Sequence, residues 1–137
     1  MRSPTFHMVT GAPRPVAPFS HAVEQDGWVL LTGQMPTDPA DADAPLPVGV
    51  EAQTQRVLEN LELVLYGLKL SRRNILQCRC YLTDFERDYT AFNRVYEAFF
   101  PPHALPARTT IGVTALAVGA LVEIDAVAYR PSRESER

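Results

Sequence analysis

The sequence has little of the raw material that metal and redox centres need. Cys78 and Cys80 are its only cysteines, and His7, His21 and His103 are scattered without the spacing of a zinc site. Two cysteines two residues apart in a strand-like run point to one face, which excludes a disulfide framework and reads as a pair of reduced core thiols. Positive charge is also scarce. The net charge is −3 and no basic block is longer than Arg72-Arg73, so the stripe that neutralises nucleic-acid phosphates is missing. No apolar run approaches the roughly 20 residues of a spanning helix. The N-terminal MRSPTFHMVTGAPRP lacks the continuous apolar core of a secretion signal, so a cytoplasmic location is expected.

What is present suits a globular chain. At 137 residues, with 46% hydrophobic and 21% charged residues, it can bury a core of its own, and we expect one domain over residues 1–137. A short strand is expected over Phe6–Val9. Two β-like runs then flank Asp26-Gly27, a pair suited to a tight hairpin turn, with Trp28–Thr32 as the second strand. MPTDPADADAPLPVG has no apolar period and reads as an exposed loop.

From Val50 the period becomes helical: Val57, Leu58, Leu61, Val64, Leu65 and Leu68 form one stripe, and Gly67 marks the expected end. NILQCRCYLTD alternates, placing Leu76, Cys78, Cys80 and Leu82 on a buried face. A second helix is expected over Phe85–Phe100, packing through Tyr89, Phe92, Tyr96 and Phe99 and stopped by Pro101-Pro102. ARTTIGVTAL and ALVEIDAVAY supply two last strands, and Pro131–Arg137 reads as a polar tail.

This order, β-β-β-α-β-α-β-β, predicts an α+β fold: a single mixed β-sheet with both helices packed on one face. The other face then lacks cover. In the last strand, Val122, Ile124, Ala126 and Ala128 form one apolar face, while Leu121, Glu123, Asp125, Val127 and Tyr129 form a mixed one. That mixed face is too apolar to sit comfortably in water, and burial against further copies in a closed oligomer is the simplest answer.

Few residues stand out for chemistry. Arg108 opens an otherwise apolar strand, and Glu123 lies inside the next, which the turn near Val118-Gly119-Ala120 allows to pair with it. The two residues fit an ion pair that finishes the sheet equally well as separate roles. In the second reading arginine's planar fork grips a carboxylate and glutamate polarises a water. Gly33, beside Thr32, marks a bulge or a close backbone approach. Asn93 is an amide among packing residues and must find partners. Ser20-His21 is no dyad, because adjacent strand residues face opposite ways.

Taken in order, APFSHA (17–22), LLTGQMP (30–36), QTQRVLENL (53–61), CYLTDF (80–85), FNRVYEAFF (92–100), LPAR (105–108) and LVEIDAVA (121–128) resemble the RidA/YjgF family of reactive intermediate deaminases. The resemblance implies a chorismate-mutase-like trimeric barrel, with helices outside and a cleft at each subunit boundary. It implies hydrolysis of 2-imino and 2-enamino acids, such as 2-iminobutanoate and 2-aminoacrylate, to 2-keto acids and ammonia, with no cofactor and no metal. By position, Arg108 corresponds to the carboxylate clamp and Glu123 to the residue that positions the attacking water. Thr32, Gly33 and Asn93 correspond to substrate-binding positions.

Two further positions in that cleft depart from the family. Phe19 stands where many active members have tyrosine, and Thr110 stands where cysteine is common; together they point towards a larger or less polar substrate. Ala117 replaces a usual proline and reads as loop variation. The competing readings are deamination of a 2-aminomuconate-type substrate and a non-catalytic regulatory trimer that binds a small carboxylate. Glu123 argues against the regulator, since gripping a carboxylate needs no nearby anion. Ribonuclease activity, known in some relatives, is disfavoured by the charge.

Overall fold

The computed structural model describes residues 3–132. The tail expected over Pro131–Arg137 therefore lies, from residue 133 onward, outside the described residues. The elements follow the expected order. They are β1 (Thr5–His7), β2 (Ala22–Gln25), β3 (Trp28–Gln34), α1 (Val50–Gly67), β4 (Ile75–Leu82), α2 (Phe85–Phe99), β5 (Ala107–Gly112) and β6 (Val122–Tyr129). The six strands form one mixed sheet in the order β1-β2-β3-β6-β4-β5, with β4 and β5 parallel and the other pairs antiparallel.

Local chemistry explains the elements. The β2–β3 hairpin turns at Asp26 and Gly27, both at positive φ (54° and 86°), a conformation aspartate tolerates and glycine adopts freely. The α1 stripe is buried throughout, against β3 and β6. Asp84 caps α2 by accepting from the Arg87 amide (3.3 Å). Cys78 and Cys80 are free, buried thiols, and burial pushes them up to about 11 and about 12, which keeps them protonated and unreactive.

α1 ends at Gly67, as its spacing predicts, with Leu68 just beyond the last turn. Lys69 takes the left-handed position (φ 60°), while the Lys69 amide donates to Tyr66 O (3.0 Å) and the Leu70 amide to Leu65 O (2.8 Å). Gly67 is small because Val9 packs where its Cβ would stand. Three expectations need correction. Leu76 is exposed, since a register shift between Ile75 and Gln77 turns Ile75 inward instead. The loop after β3 is not exposed at its start. Met35 and Thr37 are buried, and Asn60 donates to both their carbonyls (2.9 and 2.8 Å). Finally, β5 and β6 do not pair: β4 lies between them.

Gly67 gives a clean test of packing against propensity. Alanine gains up to about 1 kcal/mol of helix propensity, but a Cβ there overlaps the stiff, β-branched Val9 side chain. Val9 cannot slide away, because its amide donates to His21 Nδ1 (2.8 Å). Overpacking of this kind costs about 1–3 kcal/mol. Gly67→Ala should therefore lower stability in denaturant titrations, and Val9→Ala should relieve part of the loss; a stabilised Gly67→Ala would contradict the packing argument.

Candidate active site

Arg108 pairs with Cys78 across the β4–β5 ladder, and partners in a ladder share a face. Its side chain therefore lies on the helix-covered side, half-buried, against α2. There the guanidinium carbon stands 4.8 Å from the Tyr96 ring centre, 5.5 Å from Phe92 and 5.9 Å from Tyr89, and Nη2 donates to the Tyr89 hydroxyl (3.3 Å). Residues 89, 92 and 96 share one helix face, so the stripe that packs α2 also walls the cation. The sequence marked these rings only as packing residues. Their i, i+3, i+7 spacing opposite a strand arginine was the available signal.

The arginine opens onto a cavity of about 340 Å³ lined by Asn93, Tyr96, Glu97, Leu105, Pro106 and Arg108. Among the described residues Asn93 Oδ1 and the Thr110 hydroxyl are buried without a conventional hydrogen-bond partner, with the Cys80 thiol near Thr110. An orphaned buried acceptor is costly unless something arrives to meet it. A second concavity of about 630 Å³ shares Glu97 and Leu105 with the first and runs on past Phe100 and Pro102.

Glu123 belongs elsewhere. It pairs with Tyr81, and it alternates with the buried Val122 and Ile124, so it lies on the helix-free face. Thr32 and Gly33 form a bulge opposite Asp125, between the pairs Leu31–Ala126 and Gln34–Ile124. The bulge lays Gly33 against the Glu123 carboxylate so closely that a Cβ would overlap Oε2. Phe19 and the Pro13–Val16 loop border Gly33 in a narrow crevice. Burial, and then the nearby Asp125 carboxylate, raise the Glu123 pKa. Asp125 itself is held by Arg79 Nε (2.9 Å) and the Tyr81 hydroxyl (3.0 Å), whereas Glu123 has no ion-pair partner among the described residues.

The seven candidates thus form two groups, Arg108–Asn93–Thr110 and Glu123–Gly33–Thr32–Phe19. The expected contact between Arg108 and Glu123 is absent, because β4 separates their strands and the two side chains leave opposite faces. Two strand spacings put about 10 Å between them across the sheet, and three residues add about 10 Å along it. An ion pair finishing the sheet is ruled out within the chain. His21 is structural: Nδ1 accepts from the Val9 amide, so Nε2 carries the hydrogen donated to Pro13 O (2.7 Å). Among the described residues no three His, Cys, Asp or Glu gather as a metal cluster, and no helix is long and apolar enough to cross a membrane.

The helix-free face carries Trp28, Leu30, Tyr81, Ile111, Val127 and Tyr129. Trp28 and Leu30 are about half exposed (52% and 54%), and the Trp28 and Tyr129 rings meet edge to face at 5.3 Å. Solvent does not favour an apolar sheet face of this extent.

The architecture defines the class: two helices packed on a mixed six-stranded sheet, as in solved YjgF proteins. The sequence model of Endoribonuclease L-PSP matches residues 9–130. Protein DfrA of Myxococcus xanthus is 41% identical over 119 residues, covering 85% of this chain and 88% of that one. The crystal structure of the Escherichia coli YjgF gene product superposes with a TM-score of 0.84 at 28% identity, covering 93% of this chain and 100% of that one. Escherichia coli TdcF, solved with bound serine, gives a TM-score of 0.83 at 29% identity, covering 91% and 99%. The chain belongs to the RidA/YjgF family.

Proposed function

We propose that the protein hydrolyses reactive 2-imino and 2-enamino acids of the 2-iminobutanoate or 2-aminoacrylate type to 2-keto acids and ammonia. It acts as a homotrimer with sites between subunits and without a cofactor. The observation that carries this reading is Arg108: a guanidinium set among three aromatic rings at a cavity mouth, with no carboxylate paired to it among the described residues. A half-buried arginine in that state is ready for a planar anion. The serine held by TdcF supports a small amino-acid-like ligand in the family.

The trimer brings the two groups together. The apolar helix-free faces close on one another, and the Arg108 group of one subunit meets the Glu123 group of the next. Arg108 then holds the substrate carboxylate, and Asn93 Oδ1 accepts from the iminium N–H. Thr110, Thr32, Gly33 and Phe19 line the remaining wall. Glu123, ionised, takes a proton from water as the oxygen attacks C2 of the C=N bond. The tetrahedral carbinolamine then collapses: Glu123 returns its proton to the nitrogen, the C–N bond breaks and ammonia leaves, and the hydroxyl gives its proton to the regenerated Glu123 carboxylate, and from there to solvent, as C2 becomes a carbonyl. An enamine first takes a proton at C3 to become the iminium. The carbon is already electrophilic, so positioning and one base suffice.

One observation favours a roomier substrate of the 2-aminomuconate type: the 630 Å³ concavity adjoining the clamp. Phe19 in place of a phenol agrees with it. The test is competition for an imine. A dehydratase acting on threonine generates 2-iminobutanoate, semicarbazide traps it, and the protein is added. We expect less semicarbazone and more 2-ketobutyrate. Unchanged trapping with retained 2-ketobutyrate binding would contradict deamination of this substrate and move the reading to a larger substrate or to sensing.

A further inference from the structure

The Arg108 guanidinium carries five N–H donors, and among the described residues only one, on Nη2, has a side-chain partner: the Tyr89 hydroxyl at 3.3 Å. That hydroxyl accepts from the arginine and has its own hydrogen left to give. Its position is fixed from below. The Tyr89 ring stacks on Phe85 (4.6 Å between centres, 21° between planes), and Phe85 Cβ lies against Gly112 of β5, where a Cβ would come within 3.3 Å. Tyr96 closes the buried end of the same wall, at 4% exposure, while Tyr89 is only half-buried. The phenol therefore stands beside the guanidinium at the more exposed end of this wall, next to the N–H groups that have no side-chain partner.

We propose that Tyr89 is a substrate-binding residue: its hydroxyl donates to the carboxylate that Arg108 holds, making the seat a three-donor site selective for a free acid. This rests on the reading of Arg108 as a carboxylate clamp. The remaining N–H groups of Arg108 supply the two parallel bonds, and Tyr89 supplies the third from the side. An ester or amide at the same place offers no second anionic oxygen and gains nothing from the phenol.

The test is binding of 2-ketobutyrate and of its methyl ester to the wild type, Tyr89→Phe and Arg108→Ala. Removing a hydrogen bond to a charged group should weaken the acid about tenfold in Tyr89→Phe and leave the ester unchanged. In the deaminase assay KM should rise more than kcat falls. Wild-type affinity for the acid in Tyr89→Phe, with affinity lost in Arg108→Ala, would overturn the proposal and leave the clamp standing. Equal losses for acid and ester would make Tyr89 a shape element and overturn it as well. Retained acid affinity in Arg108→Ala would overturn the clamp itself, and this proposal with it.

Discussion

Replacing Arg108 by alanine is expected to lower kcat/KM for 2-iminobutanoate by about 10²- to 10⁴-fold while leaving the fold and the oligomer intact. Two charge-assisted hydrogen bonds to a carboxylate, at about 1.5–3 kcal/mol each, set that range. The fold loses far less. Arg108 sits near the start of edge strand β5, its one side-chain hydrogen bond goes to Tyr89, and its ring contacts are worth about 1–2 kcal/mol. The semicarbazide competition reads the activity and size-exclusion chromatography reads the assembly. Full activity in Arg108→Ala would remove the clamp from the account. Arg108→Lys should fall between the two, keeping the charge without the planar fork.

Glu123→Gln is expected to lower kcat by about 10²- to 10⁴-fold, with a much smaller effect on 2-ketobutyrate binding. Glutamine fills the space beside Gly33 but cannot take a proton. The working form of Glu123 is the carboxylate, and burial with the Asp125 charge raises its pKa. Wild-type kcat/KM should therefore fall as pH drops through a value raised above that of an ordinary glutamate, and the variant should lack that limb. The same shift has a stability consequence of opposite sense. A carboxyl whose folded pKa is raised contributes stability below its unfolded pKa, and that contribution is lost as pH rises through the folded value. At neutral pH the glutamine variant should thus be no less stable than wild type. Equal losses of binding and turnover would point to a structural residue.

Much of the fold was legible because local chemistry and tertiary packing agree. Asp26-Gly27 specifies its turn, the α1 stripe from Val57 to Leu68 is buried as spaced, and the alternation of β6 is reproduced residue by residue. The rest depends on contacts between residues far apart in sequence. Gly67 marks the end of α1, and only the approach of Val9 shows why it is small. Leu76 fits the alternation until the register shift in β4. Adjacent strands in sequence usually neighbour each other, yet β6 has a fully buried face, Val122, Ile124, Ala126 and Ala128, and takes the central place between β3 and β4. That insertion is what parts Arg108 from Glu123. Both residues stand out in the sequence as candidates; that they lie in two groups on opposite faces does not.

The most direct measurement follows from that separation. Arg108→Ala and Glu123→Gln, each nearly inactive alone, are co-refolded in equal amounts so that subunits mix at random. A site built from Arg108 of one subunit and Glu123 of the next is restored wherever the two variants meet in the right order, at about one quarter of the sites in a trimer. The account predicts recovery of about a quarter of wild-type activity. No recovery, with subunit exchange verified by differently tagged wild-type chains, would contradict a site shared between subunits.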